Sequence, residues 1–226
     1  MSSMSDTVFS TKPHVVGDDS FVDHAPTAPA EETLTTVLTN DWINEEYKHL
    51  VITASPKALN AKPGQFFNWL CPSPDEGDLW LRRPQSIYVV DKERQRLEFL
   101  YKTVGRGTKG TAMLTPGDTF NIVGPLGVGF SIAPEWKNIV VLGRGVGLAT
   151  LAPISQMIAD AGVNATVILS ARSSELAMSG DLFEKAGAEI VTLTDTDGSS
   201  DIANVETIIE DRIAQGRADA FYTCGS

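Results

Sequence analysis

The apolar run Asn138–Leu142 ends in Gly143-Arg144-Gly145-Val146-Gly147 and leads into Leu148–Ala161, a helix-compatible segment stopped by Gly162. A buried-looking strand, a glycine turn and a helix in direct succession define a βα unit, because parallel strands need a long crossover that a helix supplies. Similar units follow. Ala165–Ser170 reads as a second strand, Ser174–Ala186 as a broken helix closed by Gly187, and Glu189–Thr194 as a third strand. Asp201–Gln215 then carries Asp201 in N-cap position, Ile202, Val205, Ile208, Ile209 and Ile213 on one stripe, and Gly216 as stop, before a fourth strand at Ala220–Thr223. This alternation predicts a doubly wound parallel sheet whose ligands sit at the carboxyl ends of the strands.

The upstream half has a different rhythm. Short β-branched and aromatic runs occupy Thr33–Thr39, Tyr47–Thr53, Gln65–Leu70, Ser86–Val90, Arg96–Val104 and Thr119–Val123. Pro63-Gly64, Asp91-Lys92-Glu93-Arg94 and Pro116-Gly117-Asp118 separate them with turn chemistry, which predicts a small antiparallel barrel. The expected organisation is an N-terminal arm over residues 1–31, rich in Ser, Thr, Asp and Pro, then a β-barrel over 32–134 and an α/β domain over 135–226. The fold class is therefore α+β with two domains.

Charge narrows the function. With 18 basic and 29 acidic residues the chain carries a formal −11, which argues against a nucleic-acid partner held through phosphates. Its longest charge-free stretches fall short of the ~18 residues of a membrane span. Two cysteines, Cys71 and Cys224, are too few for a disulfide framework, so a reduced, cytoplasmic setting is expected, with a bridge between the two left open. His14, His24 and His49 form no ligand pair, no metal site is expected, and no nucleophile elbow is present. The four tryptophans, Trp42, Trp69, Trp80 and Trp136, read as core or domain-interface packing.

Several segments can carry chemistry. Backbone N–H groups at Gly143–Gly147 can hold a pyrophosphate at a helix start, although Leu148 stands where the dinucleotide fingerprint G-x-G-x-x-G needs its last glycine. A tight turn with no ligand reads equally well there. Arg172, after the second strand, can reach a nucleotide phosphate or lie on the solvated surface. Cys224-Gly225 ends the fourth strand at the same rim as the glycine loop; Cys71 reads as structural. In the barrel half, Arg82-Arg83-Pro84-Gln85-Ser86 places cations and a hydroxyl ahead of a strand, where an arginine can neutralise a diphosphate or merely face solvent. Gly105-Arg106-Gly107-Thr108 opens a short helix-length stretch, Lys109–Leu114, and forms a second anion-ready turn.

Taken together, Pro63-Gly64-Gln65-Phe66, Arg83-Pro84-Gln85-Ser86, Gly105-Arg106-Gly107-Thr108, Pro116-Gly117-Asp118, Gly124-Pro125-Leu126-Gly127, Gly143–Ala149 and Cys224-Gly225-Ser226 resemble, in order and spacing, the motifs of the ferredoxin–NAD(P) reductase superfamily. The branch most closely resembled contains the electron-transfer subunit of dihydroorotate dehydrogenase. The resemblance implies a flavoprotein oxidoreductase component that passes electrons between NAD(H) and, through FAD, an iron–sulfur centre or a partner subunit. A free-standing flavin or ferredoxin reductase and a nucleotide-sensing module on the same fold are the alternatives.

By the same resemblance, Arg83 binds the FAD diphosphate in the run Arg83, Pro84, Gln85 and Ser86, with Ser86 near the flavin N5. Leu100, Tyr101 and Lys102 border the flavin, while Gly105, Gly107 and Thr108 hold phosphate. Gly143, Arg144, Gly145, Val146, Gly147 and Arg172 face the nicotinamide dinucleotide, with Cys224 and Gly225 beside the hydride-transfer point; Cys224 and Ser86 are the catalytic candidates. The choice of NAD rests on this resemblance alone and leaves NADP open, since neither a ribose-gripping acid nor a cluster of basic residues follows the second strand. Gln85 stands where many members carry an aromatic residue. Members continue beyond the position of Ser226, in this branch with four cysteines that ligate a [2Fe–2S] cluster, so a longer chain is expected to hold one and the sequence as given does not.

Overall fold

The computed structural model describes residues 30–77 and 79–225, so all but the last two residues of the arm expected at 1–31 lie outside the described residues, with His14 and His24. Seven antiparallel strands form one curled sheet in the order β4-β3-β7-β1-β2-β6-β5. They are β1 (Glu31–Trp42), β2 (Tyr47–Thr53), β3 (Phe66–Leu70), β4 (Arg83–Ser86), β5 (Val89–Asp91), β6 (Arg96–Lys102) and β7 (Thr119–Leu126). β1 pairs with β7 over residues 31–36 and with β2 from Val37 onward. The register shift at Val37–Thr39 is the kind of bulge that bends a strand, and it lets one strand serve both halves of the curl.

Period-two alternation fills the interior. Along β6, Leu97, Phe99 and Tyr101 point inward and are fully buried. Trp69 lies at the centre, edge-on to Phe99, Tyr101 and Phe120 at ring separations of 5.0, 5.4 and 5.2 Å. Trp136 packs against the second domain's core, but Trp42 and Trp80 are exposed, which corrects the expectation that all four are packing residues.

The single strand expected at Ser86–Val90 is two edge strands. β4 pairs with β3 and β5 with β6, and between them the Ile87 N–H bonds Gln65 O while the Tyr88 N–H bonds Glu98 O. The chain crosses the sheet's opening there, from one edge to the other. Pro84 is tolerated because β4 is an edge strand with an unpaired side. Helix α1 (Arg106–Ala112) starts three residues earlier than the expected Lys109, since Gly105 is its N-cap and the Thr108 hydroxyl accepts from the Val104 and Gly105 N–H groups.

The second sheet is parallel throughout, in the order β10-β9-β8-β11, with β8 (Asn138–Arg144), β9 (Asn164–Ala171), β10 (Glu189–Thr194) and β11 (Ala220–Cys224). Ile139, Val141, Val167 and Leu169 pack beneath α2 (Gly147–Leu151), α3 (Ile154–Ala161) and α4 (Gly180–Lys185). On the opposite face Val140, Ile168 and Leu193 meet Val205, Ile208 and Ile209 of α5 (Ile202–Ala214). Helices on both faces make the sheet doubly wound, as the sequence predicts.

Two readings need correction. The helix expected at Leu148–Ala161 is interrupted at Ala152-Pro153, where proline supplies no N–H and crowds the preceding turn. On α5, Ile202 and Ile213 point away from the sheet and are exposed, leaving a narrower contact stripe than the sequence implies. Among the described residues no helix is long and apolar enough to cross a membrane.

Candidate functional site

β8 and β11 lie side by side, with Cys224 opposite Gly143, so the glycine loop and the Cys224-Gly225 turn share the carboxyl rim of the sheet. The chain reverses its winding between these strands, which is where open α/β sheets leave a crevice for ligands. The three loop glycines have different duties. A methyl on Gly143 would come 2.5 Å from Leu148 Cδ2, and one on Gly147 would come 2.1 Å from the Cys224 carbonyl oxygen. Both are required by protein packing. Gly145 adopts a left-handed φ of +55° and has only the Tyr47 hydroxyl, at 3.6 Å, near the place its Cβ would occupy. Of the three, Gly145 is the one open to a ligand, and Val146 beside it is exposed.

A cavity of about 350 Å³ opens at this point, between the domains. Glu46, Tyr47 and Lys102 line it from the barrel, and Arg144–Val146, Arg172 and Gly225 from the α/β domain. Its cations are already partnered. Glu46 bonds Lys102 Nζ at 2.8 Å through one oxygen and the Arg172 guanidinium through the other. The Lys102 and Arg172 contacts, in that order, hold the Glu46 carboxyl below its usual range. Arg144 donates to Ser170 Oγ at 2.7 Å and to both Asp195 oxygens at 3.0 and 2.9 Å, and Asp195 is lowered by Arg144 and then by Ser200. Arg144 is thus a strap across the ends of β8, β9 and β10.

The barrel candidates form a second group. Arg82, just ahead of β4, donates to Asn121 Oδ1 at 2.7 Å and to Glu32 Oε1 at 2.5 Å, reaching past β3 to β7 and β1. Arg83 instead lies over the start of α1: a Cβ on Gly107 would come 3.1 Å from Arg83 Cγ and 3.2 Å from its Nε. The first intrahelical bond of α1 runs from Lys109 N to Gly105 O, so the N–H groups of Arg106, Gly107 and Thr108 precede any acceptor within the helix. Gly105 faces open space. A guanidinium, unpaired amides and an open glycine are the donor set that a diphosphate needs, and the residues fit that group. The Thr108 hydroxyl is committed to the helix cap, leaving its amide as the phosphate donor.

Strand alternation separates the three residues of β6 proposed to border the flavin. Tyr101 turns into the barrel core, where its hydroxyl donates to Asn40 Oδ1 at 3.0 Å and burial pushes its pKa upward. Its side chain cannot border a ligand in the cleft. Leu100 points the other way and packs with Tyr47, Ala149 and Met178 between the domains, and Lys102 reaches the cavity. Ser86 Oγ lies 3.0 Å from Thr150 Oγ1 on α2, the helix whose first residue abuts the Cys224 carbonyl. One short helix therefore links the two catalytic candidates. Gln85 and Pro84 stay on the edge strand β4, Gln85 half-buried.

Cys71 is buried, its thiol pKa raised by burial, and Cys224 is half-buried; both are free, so no bridge joins them. Among the described residues no cluster of metal-binding side chains is present. A larger cavity, about 640 Å³, lies between Ile87–Val90 and Pro153–Asp160 and contains none of the candidate residues. Glu46, Tyr47, Thr150 and Asp195 were not singled out in the sequence. A hairpin turn, a strand start, a helix middle and a strand end carry no motif; only the Asn44 side chain, accepting from the Glu46 and Tyr47 N–H groups at 3.0 Å, marks the turn as built.

A curled antiparallel sheet followed by a doubly wound parallel one, with a glycine rim facing the first domain, is the two-domain fold of the ferredoxin reductases. Solved structures agree. The chain superposes on an NADH-dependent reduced ferredoxin–NADP oxidoreductase, studied for flavin-based electron bifurcation, with a TM-score of 0.68 at 27% identity over 84% of this chain and 67% of that one. It shares its fold alone with the ferredoxin–NADP reductase of Plasmodium falciparum, at a TM-score of 0.66 and 12% identity over 86% of this chain and 84% of that one.

Among curated relatives, the dihydroorotate dehydrogenase B (NAD(+)) electron transfer subunit of Listeria innocua is 31% identical over 179 residues, 77% of this chain and 67% of the relative. The chain belongs to this family of electron transfer subunits. The Desulforamulus reducens relative is 34% identical over 73% of this chain, and the match spans 62% of that relative's length. No protein-family model matches.

Proposed function

We propose that this chain is the flavin-carrying component of an NAD-linked oxidoreductase, taking electrons from NADH and handing them to an iron–sulfur centre or a partner oxidoreductase subunit in the cytoplasm. The observation that carries the reading is Arg83 lying over Gly107 at the open start of α1. That position supports the reading in which Arg83, with the amides of Arg106, Gly107 and Thr108, holds the FAD diphosphate. Glu46, Tyr47 and Lys102 form the cleft wall on the barrel side, with Leu100 packed behind them, and Gly145 and Gly225 form the opposite wall on which a nicotinamide dinucleotide would rest.

FAD, when bound, supplies the conversion of a two-electron hydride into single electrons. The chain's own residues position and shield. The Ser86–Thr150 hydrogen bond and the Tyr47, Leu100, Ala149 and Met178 cluster hold the two walls together and exclude water behind the cleft. Arg144 Nη2, shared between both Asp195 oxygens, and Nη1, donating to Ser170 Oγ, fix the shape of the rim.

The test is direct. Purified protein reconstituted with FAD should show flavin absorbance near ~450 nm and bleach on anaerobic addition of NADH. Arg83→Ala should weaken FAD retention by about 10–100-fold, the loss of a hydrogen bond from a charged donor being about 1.5–3 kcal/mol. Protein that takes up no FAD, or unchanged retention in the variant, would sink the assignment.

A further inference from the structure

We propose that Glu46, a barrel residue, selects NAD over NADP by occupying the one arginine placed to receive a 2′-phosphate; the inference rests on the nicotinamide-binding reading above. In a doubly wound sheet the adenosine ribose lies at the end of the second strand. An acid there accepts from the ribose diol, whereas an arginine there accommodates a 2′-phosphate. β9 is that second strand, and Arg172 directly follows its last residue, Ala171. By its own sequence the strand end offers an arginine and no acid beside it.

The fold supplies the missing acid from the other domain. The Glu46 carboxylate engages the Arg172 guanidinium across the cleft, 126 positions away in the chain. Its placement is rigid: the Glu46 N–H donates to Asn44 Oδ1 at 3.0 Å, its carbonyl accepts from the Thr103 N–H at 3.0 Å, and its second carboxylate oxygen takes Lys102 Nζ at 2.8 Å.

The other cations of the cavity are themselves paired, Lys102 with Glu46 and Arg144 with Asp195. The Glu46 hydrogen bond and charge, then Tyr47 and Asp195, raise the Arg172 pKa. A 2′-phosphate arriving at Arg172 must therefore displace one carboxylate and sit near a second. A ribose diol is a neutral donor and meets Glu46 as an acceptor, so it carries no such cost.

The experiment compares two probes on the full chain carrying FAD, adenosine 5′-monophosphate and adenosine 2′,5′-bisphosphate, by calorimetric titration, alongside anaerobic flavin reduction by NADH and NADPH. In Glu46→Gln the affinity for the bisphosphate relative to the monophosphate should rise about tenfold, the size expected for removing one near, partly solvated charge, and the NADPH-to-NADH ratio of reduction rates should rise with it. Glu46→Asp keeps the charge and should keep the preference, which separates selection from a folding defect. Probe affinities that change in step, or not at all, in Glu46→Gln would overturn the role of Glu46 while leaving nicotinamide binding intact. Wild-type protein that binds neither probe and is reduced by neither dinucleotide would instead remove the underlying reading, and this inference with it.

Discussion

Gly145 and Gly147 stand two residues apart in one loop, yet a methyl group harms them by different routes. On Gly147 it would meet the Cys224 carbonyl at 2.1 Å, a backbone overlap that no rotamer change relieves. Gly147→Ala should cost about 2–3 kcal/mol and lower the melting temperature by about 4–12 °C. On Gly145 the space is open and the penalty is the left-handed φ alone, about 1 kcal/mol, or roughly 2–4 °C. Gly145→Ala should nevertheless be the variant with the weaker hold on NADH, because its methyl points into the cleft. Calorimetric melting and an NADH titration on both proteins check the pair, and a reversed order would show that the loop's packing has been misassigned. Cys224→Ala should slow flavin reduction by NADH while leaving flavin content unchanged; an unaltered rate would remove the thiol from the site. The glycine spacing was legible in the sequence, but which glycine serves packing and which serves a ligand depends on where Cys224 comes to lie, 77 positions downstream of Gly147, and local pattern carries no trace of that.

Elements were legible where one rule governs them and misread where two compete. Apolar runs bounded by turn residues and glycine stops located β8, β9, β10 and β11, and β1, β2, β3, β6 and β7 of the barrel. The apolar stripe of Leu148–Ala161 masked the break imposed by Pro153, and the apolar run at Ser86–Val90 masked a change of pairing partner that depends on the sheet's curl. Helix α1 shows how far a functional element leans on distant residues. Asn40 donates to the carbonyls of Thr111 at 2.9 Å and Leu114 at 3.0 Å while accepting from the Tyr101 hydroxyl, and Lys48 donates to Ala112 O at 2.8 Å. Those contacts anchor the end of the helix whose start faces Arg83. Asn40→Ala strands a buried hydroxyl and removes the caps, which at about 1–3 kcal/mol for each unsatisfied group should lower the melting temperature and weaken FAD retention together. Retention that stays at the wild-type level despite reduced stability would show that α1 holds its position without this anchor.

Across the whole molecule, the two domains are joined by apolar packing around Leu100 and by polar contacts at the cleft mouth, and these two kinds of contact respond differently to acid. Burial of Leu100, Ala149 and Met178 is insensitive to pH. The mouth is not, because Glu46 and Asp195 both have carboxyls held below their ordinary ranges by cations. A carboxylate with a depressed folded pKa contributes stability above its unfolded value, near 4.5 for Glu46 and 3.8 for Asp195, and loses that contribution as pH falls through the lower folded value. Both groups are solvent-exposed enough for water and salt to screen them, so the effect belongs to the cleft more than to global unfolding. The expected sequence as pH falls through the depressed folded values is therefore release of the Lys102–Glu46–Arg172 contact before the barrel core yields. Hydrogen exchange or limited proteolysis on stepwise acidification from pH 7 should show protection lost first around Glu46, Arg144 and Arg172 while β6 stays protected, and Glu46→Gln should show the loosened cleft already at pH 7. Simultaneous loss of protection in both regions would mean that the ion pairs do not set the domains' relative freedom and that the Leu100 cluster alone does.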